Sequence, residues 1–273
     1  MRVAAVQMRS GINREDNLQA AEALIRQAAA AGATFISTPE MTTLLDQNRK
    51  RLTAAMAAAE PHEEEFFAQL SDELGVAIHI GSMPVGIEGS DKLRNRSLVF
   101  DQGRVLATYD KIHLFDADVP GERWKESNLY EHGEAAVMAE LRGVRFGLSV
   151  CFDLRFSSLY RQLAKGGAQV LLVPAAFTVP TGKAHWEVLL RARAIETGSY
   201  VIAAAQGGAH EDERITYGHS MIINPWGEVI DQIEGDAPGL AFAEIDLERV
   251  ADMRRRLPSL TLERAANLRL YGA

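Results

Sequence analysis

The sequence predicts an α/β protein whose strands and helices pack in layers. In the first half, a strand over residues 2–8 is followed by a helical segment and then by a second strand over residues 34–38. The continuous apolar run at residues 170–174 is typical of a strand that is covered on both sides. More strands follow between residues 220 and 245. Many strands interleaved with helices indicate a layered α/β body.

The helices are predicted from apolar side chains at helical spacing and from the residues that start or end a helix. In the first helix, Asn13 or Asp16 supplies the cap and Gly32 ends the apolar pattern. The other predicted elements are, in chain order, a helix over residues 63–74, strands 76–80, 97–100, 105–109, 137–140 and 144–150, a helix ending at 166–167, a helix over 183–197, strands 200–204, 220–223, 229–233 and 240–245, and a helix over 248–257.

Composition and charge describe an ordinary soluble protein. Apolar residues make up 47% of the chain and charged residues 24%, and no apolar run approaches the roughly 20 residues of a membrane span. The formal net charge of −8 argues against non-specific binding to nucleic acid or to an anionic membrane. Basic clusters at residues 49–51 and 254–256 are interpreted as solvated faces or subunit contacts.

The N-terminus and the cysteine count indicate the compartment and the domain organisation. A strand begins at residue 2 with no signal peptide before it, which predicts a cytoplasmic protein. A single cysteine excludes an internal disulfide and suits a reducing compartment. No linker or internal repeat divides the sequence. We therefore expect one domain over residues 1–273, with an irregular tail over about residues 258–273.

The only cysteine, Cys151, lies where the predicted strand 144–150 ends and a turn towards a helix begins. A free cysteine usually behaves as a small buried hydrophobe, so alone it indicates packing. Two other residues favour a functional interpretation, because Glu40 and Lys111 also follow strand-like segments. Ligand sites in open α/β sheets lie outside the carboxyl ends of the strands. A base, a cation and a thiol are therefore expected to converge.

The motifs around these residues resemble those of the nitrilase, or carbon–nitrogen hydrolase, superfamily. Glu40 lies in Thr-Pro-Glu-Met, Lys111 in Asp-Lys-Ile-His-Leu-Phe-Asp, and Cys151 in Ser-Val-Cys-Phe-Asp-Leu-Arg-Phe, which is similar to the Glu-Lys-Cys triad of that superfamily. The resemblance extends from residue 2 to about residue 245. It implies a four-layer α-β-β-α sandwich, in which helices flank two sheets.

The resemblance also implies a role for each residue. Glu40 takes the thiol proton of Cys151, which forms a thioester with the acyl group of the substrate. Lys111 and the backbone N–H of Phe152 stabilise the oxyanion, so Lys111→Met is expected to keep the fold and to lose rate. Glu126, in Trp-Lys-Glu-Ser, resembles a second glutamate that supports the lysine and the incoming water. The alternative for Glu126 is a solvated loop carboxylate.

Within the superfamily, residues 115–127 and 176–196 resemble the branch of omega-amidases and deaminated glutathione amidases, although Gly-Glu-Arg stands where that branch often has Gly-Gly. The branch implies a small anionic amide of the 2-oxo acid type as substrate, and a guanidinium can hold a carboxylate through two hydrogen bonds. The long segment 112–135, with Pro120 and Gly121 in it, is interpreted as a wall of the pocket. The candidate substrate-binding residues are Arg123, Lys125, Arg155 and Lys183, with Phe152, Phe177 and the hydrogen-bond donor His113 beside them.

Other predictions concern the surroundings of the thiol and the assembly. Asp153 and Arg155 are expected to form a structural ion pair after Cys151, with His185 and Trp186 packed near the helix that follows. The resemblance implies a homodimer, or a higher even-numbered oligomer, paired through helices near residues 155–165 and 183–197.

Three functions stay open on the sequence alone. The first is an amidase, the second an N-carbamoyl-amine hydrolase or a nitrilase, and the third a non-catalytic scaffold with the same fold. The seven histidines form no zinc-binding pattern, so no metal site is expected. The chain has no phosphate loop and no dinucleotide fingerprint, so no organic cofactor is expected.

Overall fold

The computed structural model describes residues 1–58, 62–119 and 122–272. Within these ranges the chain forms sixteen strands and six helices. The helices are α1 (Arg14–Ala30), α2 (Arg49–Ala58), α3 (His62–Leu74), α4 (Ser157–Lys165), α5 (Val179–Thr197) and α6 (Leu247–Arg256). The strands are β1 (Arg2–Gln7), β2 (Phe35–Ser37), β3 (Ala77–Gly86), β4 (Leu93–Asp101), β5 (Arg104–Asp110), β6 (Asp116–Val119), β7 (Glu122–Lys125), β8 (Met138–Leu141), β9 (Val144–Leu148), β10 (Val170–Leu172), β11 (Tyr200–Ala203), β12 (Gly207–Ala209), β13 (Ile215–Tyr217), β14 (Met221–Ile223), β15 (Val229–Gln232) and β16 (Gly239–Glu244).

Twelve of these strands form two six-stranded sheets with the same plan. The first sheet has the order β16-β1-β2-β3-β4-β5 and the second has the order β15-β14-β11-β10-β9-β8. In each sheet three central strands run parallel: β1, β2 and β3 in the first, and β9, β10 and β11 in the second. Parallel neighbours need long crossovers, which helices α1 to α5 supply. Within each sheet, the carboxyl ends of these strands therefore lie at one edge.

The two sheets pack face to face, and helices cover their outer faces. The rings of Phe35 on β2 and Phe146 on β9 stack between the sheets, with centroids 4.2 Å apart. They belong to a buried cluster that includes residues of both sheets and of α4 and α5. Ile36, which points away from Phe35 along the strand, lies in a second cluster with Ile25 of α1 and Phe67 of α3. The predicted four-layer α-β-β-α sandwich is confirmed.

Residues 112–135, which were expected to lack regular structure, differ most from the prediction because part of this segment forms strands. There β6 pairs with β7 as a two-stranded antiparallel ribbon, and a short 3₁₀ turn, Glu126–Asn128, follows the ribbon. Pro120 and Gly121, which were expected within the pocket wall, lie outside the described residues. The chain turns back on itself in this ribbon, so Glu126 lies close in space to Lys111 although 15 residues separate them.

Smaller differences concern the helices and the end of the chain. Helix α2 is not predicted from the sequence, and α5 begins four residues earlier than expected. Its second residue, Pro180, suits the first turn of a helix, where a missing N–H costs nothing. Between residues 258 and 272 the described chain has neither helix nor strand, and Glu263 pairs there with Arg161 of α4 at 3.1 Å. No helix among the described residues has the length and apolarity needed to cross a bilayer.

Candidate active site

Glu40 follows β2 and points to where the edges of the two sheets meet. Its side chain is 5% exposed. One carboxylate oxygen, Oε1, accepts a hydrogen bond from Lys111 Nζ at 2.9 Å, and the other accepts from the N–H of Ala176, beyond β10, at 2.9 Å. A Cβ at Gly81 on β3 would lie 2.2 Å from the carbonyl oxygen of Thr38, so only glycine lets β3 pass under this turn. Glu40 is thereby fixed by contacts to both sheets.

Lys111 follows β5 and lies between two carboxylates. Its side chain is 2% exposed, and Nζ donates to Glu40 Oε1 at 2.9 Å and to both oxygens of Glu126 at 3.0 and 2.8 Å. Glu126 also accepts a 2.6 Å hydrogen bond from the N–H of Phe115. The side chain of Glu126 is 12% exposed, which excludes the solvated loop carboxylate. The predicted proximity of Glu126 to the lysine is observed.

Asn95 joins the same cluster, although no sequence motif identifies it as a site residue. Its Nδ2 donates to Glu40 Oε1 and to Glu126 Oε1, each at 3.0 Å, and the residue is fully buried. Asn95 lies on β4, and its carbonyl oxygen accepts from the N–H of Lys111 at 3.0 Å. The antiparallel pairing of β4 with β5 places it there. No motif spacing in the sequence encodes that pairing.

Cys151 opens the 3₁₀ turn Cys151–Arg155, directly after the strand that ends at the edge of the second sheet. Its backbone is in the left-handed region, with φ of 50°, which is rare for a residue other than glycine and frequent at active sites. Its N–H donates to the carbonyl oxygen of Pro174 at 2.8 Å. The residue as a whole is buried, with 8% of its surface exposed. The turn presents a reactive group from a rigid base.

Asp153 holds this turn, but not through the predicted ion pair with Arg155. Its fully buried carboxylate accepts from the hydroxyl of Tyr109 at 2.7 Å and from the N–H of Val150 at 2.8 Å. Its other oxygen accepts from the N–H of His113 at 3.0 Å and lies 2.7 Å from Nδ1 of that ring. His113 therefore supports the cysteine turn, and its predicted place among the substrate-binding residues stays a prediction.

The charges of the cluster set its protonation state. Burial raises the pKa of Glu40, but the Lys111 cation and the hydrogen bonds that the carboxylate accepts outweigh burial and hold this pKa below its ordinary value of 4.5. Burial lowers the pKa of Lys111, yet the carboxylates of Glu126 and Glu40 hold it well above 10.5. At neutral pH, Glu40 is therefore a carboxylate and Lys111 an ammonium ion.

The surroundings of Cys151 raise the pKa of its thiol, although a cation lies close by. Burial and the carboxylate of Glu40 raise the pKa of Cys151 well above its ordinary value of 9.0, and Lys111 opposes them without prevailing. The resting state is consequently a thiol beside a carboxylate, with the base next to the proton that it is to remove. Because this thiol is protonated at neutral pH, slow reaction of Cys151 with an alkylating agent would not show that the protein is a non-catalytic scaffold.

Arg155 and a group of aromatic rings form one flank of the cysteine turn. The guanidinium carbon of Arg155 lies 5.7 Å from the ring centroid of Phe152 and 5.6 Å from that of Phe177. Burial lowers the pKa of Arg155 below its ordinary value, and a thiolate on Cys151 would oppose that shift. Both Nη atoms lie 3.3 Å from Nδ1 of His185. Of the four candidate cations, Arg155 is the one that contacts this flank.

The other three predicted cations point towards solvent. Lys183 is exposed on α5, and Arg123, which is 77% exposed, pairs with Asp118 at 3.2 Å. Lys125 is 52% exposed and lies 3.4 Å from Asp116. On β7 the ring of Trp124 packs inward, so its neighbours in sequence face outward by the alternation of a strand. The structure does not bring these three side chains to the Glu40 cluster.

The charged side chains of the site are arranged for hydrogen bonding among themselves. The described residues contain no group of three or more histidine, cysteine, aspartate or glutamate side chains arranged to hold a metal ion. The carboxylates nearest the thiol already accept hydrogen bonds from Lys111 and Asn95. The polar groups of the site are thus directed at one another and at the thiol.

Known proteins with similar sequences and folds identify the family. A family model described as carbon-nitrogen hydrolase matches residues 2–255. The chain belongs to the carbon-nitrogen hydrolase family. A deaminated glutathione amidase from Synechocystis sp. is 44% identical to this hydrolase over 94% of this chain and 96% of the relative.

Solved structures show the same relationship for the fold. The C. elegans NitFhit protein is 36% identical to this hydrolase, with a TM-score of 0.91 over 96% of this chain and 65% of that longer chain. A mutant of the amidase from Nesterenkonia sp. is 25% identical, with a TM-score of 0.79 over 96% of this chain and all of that chain, and is described as carrying acrylamide on its active-site cysteine. This carbon-nitrogen hydrolase therefore acts on carbon–nitrogen bonds other than peptide bonds, as its sequence predicts.

Proposed function

We propose that this carbon-nitrogen hydrolase is an amidase that cleaves deaminated glutathione through a thioester on Cys151. The observation that carries the proposal is the convergence of Glu40, Lys111 and Cys151, which come from the edges of two sheets. The relative from Synechocystis sp., which matches over nearly the full length of both chains, supports the choice of substrate.

Acylation starts from the thiol and carboxylate that the electrostatics favour at rest. Glu40 takes the proton of Cys151 as the sulfur attacks the amide carbonyl carbon, so a reactive thiolate forms only with substrate in place. Glu40 then gives this proton to the departing nitrogen, and the carbon–nitrogen bond breaks. The products of this half-reaction are a free amine and an acyl thioester on Cys151.

The Lys111 cation and the backbone N–H of Phe152 stabilise the oxyanion. Lys111 is held in place by two carboxylates before substrate binds, so it needs no reorganisation as negative charge develops. The N–H of Phe152 donates no hydrogen bond to any residue within the described ranges, which leaves it available to the oxyanion. These two donors are the pair that the family resemblance implies.

Deacylation reuses the same base. Once the amine has left, Glu40 is ionised again and activates a water that attacks the thioester carbon. Glu126 keeps Lys111 oriented during both half-reactions, and Asn95 bridges the two carboxylates by donating to one oxygen of each. The second attack releases the carboxylic acid and returns the proton to the thiol.

Deaminated glutathione carries a carboxylate at each end, one on its 2-oxo acyl group and one on its dipeptide leaving group. Arg155 is the candidate partner for the acyl carboxylate, because its guanidinium borders the cysteine turn and pairs with no carboxylate in the described chain. A planar guanidinium can hold such a group through two hydrogen bonds. Phe152 and Phe177 would then flank the acyl chain.

The proposed function is tested by combining kinetics with mass spectrometry. The value of kcat/KM for deaminated glutathione is expected to exceed that for an N-carbamoyl amino acid and for an aliphatic nitrile by about 10² or more. Acid quenching during turnover should trap a 2-oxoglutaryl group on the peptide that contains Cys151. A preference for either other substrate would replace the proposal with the corresponding activity. Absence of both adduct and turnover with all three would favour a non-catalytic scaffold.

The protonation states of the site predict the pH dependence of wild-type kcat/KM. Glu40 must be ionised to act as base, and its pKa lies below 4.5, so activity should fall only below that pH. The proton that Glu40 takes must be present on Cys151, whose pKa lies above 9.0, so the alkaline decline should lie above that pH. We expect a level profile from roughly pH 5 to 8. An inflection between pH 6 and 8 in protein that stays folded would show that another group acts as base.

The assembly and the compartment stay predictions. Val188 and Ile195 are 68% and 46% exposed on α5, and their spacing of seven residues places them on one face. An exposed apolar face on this helix supports the expected pairing of two subunits through α4 and α5. The absence of a membrane-spanning helix in the described chain is compatible with the expected cytoplasmic location.

A further inference from the structure

A second arginine lies near the active site on a different part of the chain. Strands β12 and β13 form a hairpin, and the turn between them carries Arg214. The hairpin is attached to the wall of the site, because the N–H of Tyr217 donates to the carbonyl oxygen of Phe177 at 2.9 Å and Thr216 forms a bridge with Thr178. The position of Arg214 therefore depends on residues that border the cysteine turn.

The guanidinium of Arg214 is hydrogen-bonded within the described chain through its Nε atom. Its Nε donates to Asp212 Oδ2 at 2.6 Å, and the same oxygen, fully buried, accepts from the N–H of Gln47 at 2.9 Å. The side chain of Arg214 is 18% exposed. Within the described chain, its two Nη atoms have no hydrogen-bond partner. A half-buried cation is thus oriented with two donors unused.

Aromatic contacts connect Arg214 to the catalytic cluster. Its guanidinium carbon lies 5.7 Å from the ring centroid of Trp124. Trp124 packs on Phe115 at 5.8 Å, and Phe115 packs on Phe152, next to Cys151, at 5.0 Å. The N–H of Phe115 also donates to Glu126. Arg214 therefore borders the site from the side of Glu126 and the ribbon.

Tyr130 gives independent support for that position. Its buried hydroxyl contacts the sulfur of Met41 at 3.8 Å. Burial raises the pKa of Tyr130, Glu126 raises it further, and the Arg214 cation opposes both. The charges of Glu126 and Arg214 thus act on the same hydroxyl group. Arg214 contacts Trp124, whereas Arg155 contacts Phe152 and Phe177, so the two cations lie against different aromatic residues.

We propose that Arg214 holds the carboxylate of the leaving group, whereas Arg155 holds that of the acyl group. The leaving nitrogen must face Glu40, which protonates it. The hairpin that carries Arg214 starts beside Glu40, because Nε2 of Gln206, the residue before β12, donates to the carbonyl oxygen of Glu40 at 2.9 Å. The substrate class is then an amide with anionic groups on both sides of the bond that breaks. This inference rests on the proposed amidase activity and adds a determinant of leaving-group specificity to it.

The test compares two substrates with the same acyl group. One is deaminated glutathione, which releases cysteinylglycine, and the other is 2-oxoglutaramate, which releases ammonia. In Arg214→Gln, kcat/KM for deaminated glutathione is expected to fall about 10- to 100-fold further than kcat/KM for 2-oxoglutaramate, mainly through KM. Masking the glycine carboxylate as its amide should cost the wild type a similar factor and cost the variant little.

Arg249→Gln is the matched control, because Arg249 is an exposed arginine beside an aspartate, Asp246, on α6. It should leave the ratio of the two kcat/KM values unchanged. If Arg214→Gln lowered kcat/KM equally for the two substrates, Arg214 would only hold its hairpin in place. If Arg214→Gln lowered kcat/KM for neither substrate, the proposal would also be overturned. If the wild type cleaved 2-oxoglutaramate but not deaminated glutathione, the proposed function itself would be wrong. Failure of the proposed function can be told apart from failure of the Arg214 proposal, because it is seen with the wild-type protein alone.

Discussion

Replacing Cys151 with alanine is expected to lower kcat for deaminated glutathione by roughly 10⁴- to 10⁶-fold, because no other described side chain can form the thioester. The fold should persist. The change removes one sulfur atom from a buried residue, and the buried Asp153 still holds the turn. Single-turnover kinetics, with thermal unfolding of the same sample, would measure both effects.

The control for this substitution is Ser158→Ala, which changes an exposed residue of similar size in the first turn of α4. It should leave kcat unchanged. Turnover by Cys151→Ala within tenfold of the wild type, after contamination has been excluded, would contradict covalent catalysis. In that case Glu40 would act directly on water.

Replacing Lys111 with methionine is expected to reduce both rate and stability. Loss of the oxyanion donor should lower kcat by about 10²- to 10³-fold. Two carboxylates, Glu40 and Glu126, would remain buried without their cation, and breaking a buried ion pair in this way costs about 3–5 kcal/mol of folding free energy. Chemical denaturation and steady-state kinetics would measure the two losses. The sequence-based expectation of loss of rate alone is therefore revised.

A double variant separates the two effects. Adding Glu126→Gln to Lys111→Met removes one of the uncompensated charges, so stability should partly recover while kcat stays low. The deficit of the single variant should also shrink at lower pH. Without Lys111, burial raises the pKa of Glu40, and protonation then favours the folded state. Wild-type stability of Lys111→Met at neutral pH would contradict the arrangement of charges described above.

The sequence predicts the main residues of the site because each lies at the end of a strand. Glu40, Lys111 and Cys151 each follow an apolar segment within a recognisable motif, and parallel strands bring such ends together. Asn95 was not predicted, because its place depends on how β4 pairs with β5. Asp153 was assigned the wrong partner, because its neighbour in sequence is a cation while its neighbours in space are Tyr109 and His113.

The candidate cations show a similar limit. Residue type identifies Arg123, Lys125 and Lys183 as possible partners for an anion, but it does not say which face of a strand or helix each occupies. The packing of Trp124 decides this for the ribbon. The pKa of the Cys151 thiol likewise depends on the folded structure rather than on residue type. A nearby lysine suggests a lower value, whereas burial and a closer carboxylate determine the direction.

The stacking of Phe35 against Phe146 joins the halves of the chain that supply the reacting groups. Glu40 and Lys111 come from the first half, and the sulfur from the second. A chain whose sheets have not yet docked carries a thiol with no base beside it, and such a thiol is mostly protonated near neutrality. Amidase activity therefore arises only with tertiary assembly, because a chain whose sheets have not docked has no base positioned to take the thiol proton.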